Sequence, residues 1–333
     1  MRTQRTRLYY LAMWSVSFLL LSTICALPAL PVSSAQDKAA PAPQPNQDEK
    51  ESMPVIKAGT NLVTLNVTVT DPYGRYVTGL TKDHFEIYDE KVPQKIQFFT
   101  DEDAPISVGI IFDISGSMKG RIDRSQDALR RFCALGHDRD EYFLVTFNSG
   151  AKLTQDFTGD SRVVTSCLMT LEPKGQTALY DAAYIGVEKV RQGRHPRKTL
   201  LLISDGQDNN SRYSFKELKQ LVKEADVQIY AIGIFEPFLF QGRSAEELGG
   251  PGLLNDLAKQ TGGRHFAVEN LSDLPDVAAK IGTELRNQYI LGYSPASKER
   301  DGKYHKVTVK LTLPKNVPPM RAFFRQGYYA PIQ

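Results

Sequence analysis

Cysteine and histidine are both scarce in this chain. Three cysteines and five histidines in 333 residues show no spacing that suits a zinc site. An excess of one charge is lacking too. The formal net charge is +3, and no basic stripe alternates with aromatics, which argues against a nucleic-acid surface. There is no P-loop and no dinucleotide fingerprint. A hydrolase elbow of the form Gly-x-Ser-x-Gly is also missing. Ser115 lies between Asp113 and Ser117, while Gly292-Tyr293-Ser294-Pro295-Ala296 departs from the pattern and precedes no helix. His137, His195 and His265 fall in scattered segments and read as surface or loop residues, none forming a base beside a nucleophile. No internal repeat is present. What remains is a chain of ordinary globular composition, 41% hydrophobic and 24% charged, with material for a real core and about two domains.

The N-terminus reads as a targeting segment. Met1 to Arg7 carries Arg2, Arg5 and Arg7 and no acid, and an apolar run follows from Leu8 to Leu27. Ser33-Ser34-Ala35 supplies the small residues of a cleavage site, with Gln36 as the new N-terminus. Residues 1–35 are thus expected to be a signal peptide, and the protein periplasmic or extracellular. An uncleaved anchor is the competing reading, because ~20 apolar residues can span a bilayer. Membrane contact is expected only in that case. Removal of the segment leaves Cys133 and Cys167, which in an oxidising compartment are either paired or separately buried. Residues 36–53, rich in Pro, Ala, Gln and charge, read as a disordered linker.

Three further segments follow. Residues 54–103 hold short strands: Leu62 to Val69 alternates and is rich in β-branched residues, Asp71-Pro72-Tyr73-Gly74 is a turn, and Phe85 to Tyr88 and Ile96 to Phe99 are apolar runs. Residues 104–287 alternate strands with helices. Val108 to Phe112, Tyr142 to Phe147, Leu200 to Ser204 and Val227 to Ile234 read as buried strands. Helical spacing marks Ile122 to Phe132, Leu179 to Val190, Phe215 to Ala225, a helix beginning near Leu253, and a last one from about Asp273 to Arg286. The expected fold class is α/β, a doubly wound and mostly parallel sheet. Residues 288–333 return to strands, with strict alternation from Lys306 to Leu313. Both terminal β segments are short for independent stability. They are therefore expected to form one small β-sandwich with the α/β domain inserted between them.

In an open α/β sheet, ligands sit at the carboxyl ends of strands beside a switch point. Asp113 and Asp205 each close a hydrophobic run and so emerge at that edge. Ser115 and Ser117 follow Asp113 at alternate positions, with Gly116 permitting the tight turn between them. Thr177 stands just ahead of a helix start. Hydroxyl and carboxylate oxygens without His or Cys make a hard-oxygen site for Mg²⁺, Mn²⁺ or Ca²⁺. A cation held mainly by neutral hydroxyls keeps much of its charge and can accept a partner's carboxylate. The plainer reading of Asp-x-Ser-x-Ser alone is a helix cap.

Taken together, Asp113-Ile114-Ser115-Gly116-Ser117 after a buried strand, Thr177 before a helix and Asp205-Gly206 after a later strand resemble the metal-ion-dependent adhesion site of von Willebrand factor type A (VWA) domains. The resemblance spans about 104–287. Gly79-Leu80-Thr81-Lys82-Asp83-His84-Phe85, Thr177 to Ala182, Ala225 to Gly233, Tyr289 to Ser294 and Gly327 to Pro331 are similar to an exported branch, the VWFA-related proteins described from acidobacteria. The resemblance implies direct metal ligation by Ser115, Ser117 and Thr177, with Asp113 and Asp205 acting through water. It also implies Mg²⁺ as the first choice of cation. The implied partner is a protein presenting an Asp or Glu, with no enzymatic activity. Asp208, Asn209, Tyr180 and Tyr213 are candidates for the ligand-binding rim, the alternative being a polar loop and ordinary exposed tyrosines. Asp181 is expected to cap or solvate its helix. Two rival functions stand beside adhesion. One is a scaffold subunit of a cell-envelope complex. The other is a metal-dependent hydrolase with Asp113 as nucleophile, against which Ser115 occupies the place of the second acid in an Asp-x-Asp motif.

Overall fold

The apolar run at 108–112 lies in the middle of the largest sheet. The computed structural model describes residues 62–235, 250–296 and 302–332. The expected signal peptide, the linker and the first residues of the N-terminal β segment lie outside the described residues. So does the choice between cleavage and anchoring. Among the described residues no helix is long and apolar enough to cross a membrane.

The N-terminal segment contributes β1 (Val63–Thr70), β2 (Phe85–Asp89), β3 (Val92–Gln94) and β4 (Ile96–Thr100). Then come β5 (Ile106–Asp113), α1 (Ile122–Cys133), β6 (Glu141–Phe147), β7 (Ala151–Thr158), α2 (Ser161–Leu168) and α3 (Leu179–Val190). They are followed by β8 (Arg197–Ser204), α4 (Phe215–Glu224), β9 (Gln228–Ile234), α5 (Gly250–Thr261), β10 (His265–Val268) and α6 (Leu274–Arg286). The chain ends with β11 (Tyr289–Tyr293), β12 (Tyr304–Leu311), β13 (Arg321–Phe323) and β14 (Gly327–Tyr329).

The six-stranded sheet runs β10-β9-β8-β5-β6-β7. Its pairings are parallel except β6 with β7. Alternate residues of each strand face opposite layers. Ile110, Phe112, Leu201 and Ile203 meet α1, α2 and α6, whereas Ile111, Leu200, Leu202 and Ile229 meet α3, α4 and α5. The helices are fixed by local signals as well as by their apolar faces. Ser214 and Glu217 form a capping box at the start of α4, and Asp160 accepts the Arg162 N–H at the start of α2.

The two ends of the chain complete each other's sheets. One four-stranded sheet is β13-β1-β11-β4 and the other β14-β12-β2-β3. Leu65 opposes Leu291, and Ile87 opposes Val309, in antiparallel register. A single apolar cluster draws on both sheets, with Leu65, Val67, Phe85, Ile87, Leu291 and Val307 among its members. The short β3 and β10 and the edge strand β7, whose residues are only partly buried or exposed, are absent from the sequence expectation. His265 lies in β10, not in a loop, and burial lowers its pKa. Cys133 and Cys167 are both free. Burial, with Asp140 nearby, pushes the Cys133 thiol up to about 12.

Arg197 holds together the two places where the chain passes between sandwich and α/β domain. Its Nη1 donates to the Ala104 carbonyl on the ingoing side (3.0 Å), and its Nη2 donates to Leu285 O (2.6 Å) and Gln288 Oε1 (2.9 Å) on the outgoing side. Gln288 Nε2 passes the network on to Thr68 Oγ1 at 3.0 Å and Gln228 Oε1 at 2.9 Å. Nearby, the Arg264 guanidinium pairs with buried Glu284 of α6 and lies 4.7 Å from the ring centroid of Phe266 and 4.8 Å from that of Phe323. Arg197→Met leaves two buried acceptors and the half-buried Ala104 carbonyl without their charged donor. The expected loss of unfolding free energy is about 2–4 kcal/mol, seen as a lower urea midpoint. An unchanged midpoint would show that water replaces the guanidinium freely.

Candidate metal centre

The sheet order explains why Asp113 and Asp205 meet. After β5 the chain adds β6 and β7 on one side, then returns to lay β8 on the other. The carboxyl ends of β5 and β8 therefore border a switch point, where helices leave toward opposite faces. Asp113 is the last residue of β5, and Asp205 directly follows β8.

Asp113 is fully buried. Its Oδ1 accepts the Ser115 N–H (2.8 Å) and its Oδ2 accepts the Ser204 hydroxyl (2.6 Å). Ser204 Oγ in turn accepts the Gly206 N–H at 3.0 Å, so one hydroxyl ties both acid-bearing loops. The Ser115 and Ser117 hydroxyl oxygens lie 3.0 Å apart. The loop that bears Thr177 is stitched to this turn by backbone bonds. Gly116 N donates to Gly175 O, and Lys174 N to Ile114 O, both at 3.0 Å. On its other side Thr177 N donates to Asn209 Oδ1 (2.8 Å), and Thr177 O accepts from Asn209 N (2.9 Å) and Asn210 N (3.1 Å). Ser149, from the turn between β6 and β7, adds a fourth loop: its hydroxyl accepts from Gln176 N and its carbonyl from Asn210 Nδ2.

The electrostatics are those of two buried like charges. Burial, with the Asp205 charge adding to it, pushes the Asp113 carboxyl up to about 7. Asp205 is 4% exposed, and its Oδ1 accepts the Gln207 N–H at 3.2 Å. Its Oδ2 is buried and has no hydrogen-bond partner. The nearby cation is Arg121, whose Nη1 stands 3.7 Å from that oxygen, an ion-pair distance too long for a hydrogen bond. An orphaned carboxylate oxygen, a second carboxylate and two adjoining hydroxyls fit a hard divalent cation. A dication there would offset both negative charges. Among the described residues no three of His, Cys, Asp and Glu gather as a metal-holding group, and the adjoining side-chain oxygens are the Ser115 and Ser117 hydroxyls.

The candidate rim residues divide into two pairs. Asp208 accepts from Ser211 Oγ (2.5 Å) and Tyr180 N (3.2 Å), and burial raises its pKa. Asn209 braces Thr177, as described. Both therefore hold loops in place. Tyr180 and Tyr213 are half-buried. The Tyr180 ring sits 5.9 Å from that of Phe215, and Tyr213 stacks on Tyr184 at 4.0 Å. Asp181 departs from expectation, since it neither caps nor solvates α3. It is buried and accepts the Arg212 and Tyr213 N–H groups and Arg212 Nε, which pins the loop after β8 to the helix. Sequence reasoning missed Ser204, Ser149 and Arg121. A polar residue closing an apolar strand was the only signal for Ser204. Arg121 looked like any basic residue at a helix start.

The family model of the von Willebrand factor type A domain matches residues 108–207. The chain therefore carries such a domain, and the match ends just beyond Asp205. No curated protein matches the chain. Among solved structures, the von Willebrand factor type A protein from Catenulispora acidiphila is similar over 82% of this chain and 64% of its own, with 13% identity and a TM-score of 0.49. BatB from Bacteroides thetaiotaomicron aligns over 54% of this chain and 98% of its own, with 20% identity and a TM-score of 0.43. Proximal thread matrix protein 1 of the mussel byssus, solved with a zinc-occupied MIDAS motif, aligns over 61% and 50%, with 20% identity and a TM-score of 0.42.

Gly175 adopts φ +83°, and a Cβ there would fall 2.5 Å from Ser149 Oγ. Gly175→Ala is expected to cost about 1–3 kcal/mol of stability and to loosen the loop that carries Thr177. Chemical denaturation reads the first effect. Faster amide exchange at Gly116, which donates to Gly175 O, reads the second, and protection at the wild-type level would refute it.

Proposed function

We propose that the VWA domain is a metal-dependent protein-binding module of an exported protein. A divalent cation, Mg²⁺ before Mn²⁺ or Ca²⁺, is held by Asp113, Ser115, Ser117, Thr177 and Asp205. When bound, it supplies an electrophilic coordination position for an Asp or Glu side chain of a partner protein. The observation that carries this reading is the buried Asp205 oxygen without a hydrogen-bond partner, beside buried Asp113 at the switch point. Its loop is braced to three others by backbone and side-chain bonds. Such pre-organisation suits a site that must hold its shape while a partner comes and goes. The charged segment ahead of the apolar run at the N-terminus supports export.

The chain's own residues favour docking over hydrolysis. Both oxygens of Asp113 are engaged and the side chain is fully buried, which suits a loop anchor and not a nucleophile. Asp208 and Asn209 keep the rim rigid, and Tyr180 and Tyr213 offer half-buried aromatic edges to a partner. The same geometry serves adhesion to an external target and assembly within an envelope complex.

Capture of partners from envelope extract by the immobilised full chain, with and without EDTA, tests the reading. Binding is expected to fall by at least about tenfold, or ~1.4 kcal/mol, in EDTA and in Asp113→Ala. Partners retained equally under all three conditions would refute metal-dependent capture. Turnover of a phosphoester or ester panel that is lost in Ser115→Ala would refute the binding-only reading.

A further inference from the structure

We infer that Arg212 is a second anchor point of the binding surface, so that the partner fitting this domain presents two acidic residues, one to the metal centre and one to the Arg212 guanidinium. The inference rests on the metal-binding reading above and deepens it. Arg212 lies in the loop that leaves β8 at Asp205 and leads into α4. That loop is bonded twice to the segment that opens α3. At the metal end, Asn209 N and Asn210 N donate to Thr177 O. About one helical turn further along, Asp181 Oδ1 accepts the Arg212 and Tyr213 N–H groups at 2.9 and 3.1 Å. Asp181 Oδ2 accepts Arg212 Nε at 3.0 Å. Arg212 and Thr177 are therefore tied to the same helix start.

The guanidinium is gripped at one corner only. Asp181 is buried, whereas the Arg212 side chain is 83% exposed. Among the described residues, Nη1 and Nη2 of Arg212 have no hydrogen-bond or ion-pair partner. The other acids of this stretch are already engaged. Asp208 accepts from Ser211 Oγ and Tyr180 N, and Glu217 accepts from Ser214 N and Oγ. An exposed arginine ordinarily loses much rotamer freedom when it is bound. Here the buried carboxylate already fixes Nε, and the planar fork of Nη1 and Nη2 matches a carboxylate bidentately. Beside it Tyr213 lies flat on Tyr184, with ring centroids 4.0 Å apart and planes 4° apart. A pre-oriented arginine next to a tyrosine pair has the composition of an interface anchor. Its charge selects the same group that the metal centre accepts, a carboxylate, so both points favour one class of partner.

The test uses the full chain in Mg²⁺ and end-blocked synthetic peptides, with binding followed by ligand-detected NMR. One set carries two aspartates separated by about one to eight glycines. The matched set has asparagine in place of the second aspartate. In the wild type the best two-acid peptide is expected to bind at least about tenfold more tightly than its one-acid match. In Arg212→Gln that ratio is expected to fall to about twofold, the statistical advantage of two equal acids. A merely loosened loop weakens both peptides and leaves the ratio as it was. Arg212→Lys keeps a counter-charge for Asp181 but lacks the fork, so it is expected to lose most of the advantage. Thermal melts establish that each variant folds, and the Lys variant carries the comparison alone if the Gln variant does not. A wild-type ratio of about two, or the full ratio kept in a folded variant, overturns the assignment and leaves Arg212 as a pin for its loop. Those outcomes spare the metal reading as long as the one-acid peptide binds in Mg²⁺ and is released by EDTA. Absence of Mg²⁺-dependent binding of every peptide overturns the metal reading, and this inference with it.

Discussion

The hydrogen bond from the Ser204 hydroxyl to Asp113 Oδ2 joins the ends of β5 and β8, and the geometry of the site is set from it. A buried carboxylate is costly unless its oxygens are engaged. Asp113 is engaged on both, by its own loop through Ser115 N and by the neighbouring strand through Ser204. The parallel pairing of β5 with β8, with Phe112 opposite Ile203, brings these groups level. The site is thus a property of the sheet's strand order. Loops alone would not hold two like charges so near each other.

That dependence explains what could be read from the chain and what could not. β5 and β8 were legible because strands buried on both faces are continuous apolar runs, and the acids that close them stood out. Thr177 and the two serines were legible as oxygen donors at suggestive spacing. Ser204 and Arg121 were not, because their roles arise only once β5 is known to lie beside β8 and the start of α1 beside Asp205. Asp181 misled for a related reason. Its position in the first turn of α3 suggests a solvated acid, yet its partners lie some thirty residues further on, at Arg212 and Tyr213. The edge strands β7 and β10 were missed because the apolar residues of β7, Ala151, Leu153 and Phe157, are only partly buried among polar ones, and β10 is four residues long.

The sandwich raises a different issue, since neither terminal segment buries enough apolar surface alone. β1 finds its partners in β11 and β13, and β12 finds one in β2. Alternation along β1 and β12 made both strands legible, but nothing local says that they belong to one core. Arg197, by bonding to Ala104 on one side and to Leu285 and Gln288 on the other, keeps the two crossings side by side. The α6 helix runs from the α/β core straight into β11, and Glu284 near its end is paired with the Arg264 that stacks on Phe323 of β13. The two layers of architecture therefore share a seam of buried polar and aromatic contacts, not a flexible tether.

The distant pairing of the chain ends has a temporal side. Gln288 reaches Thr68 across 220 residues of chain, and closing so long a loop is entropically slow. While the C-terminal strands are not yet available, β1 has neither of its partners, and an unpaired alternating strand is an aggregation hazard. The parallel sheet of the insert needs no strand from either end. Once that sheet has formed, Ala104 and Leu285 lie together, and the effective loop between β4 and β11 shrinks to the few residues flanking the Arg197 clasp. The sandwich, which takes strands from both flanking segments, can close only when β11 to β14 are present.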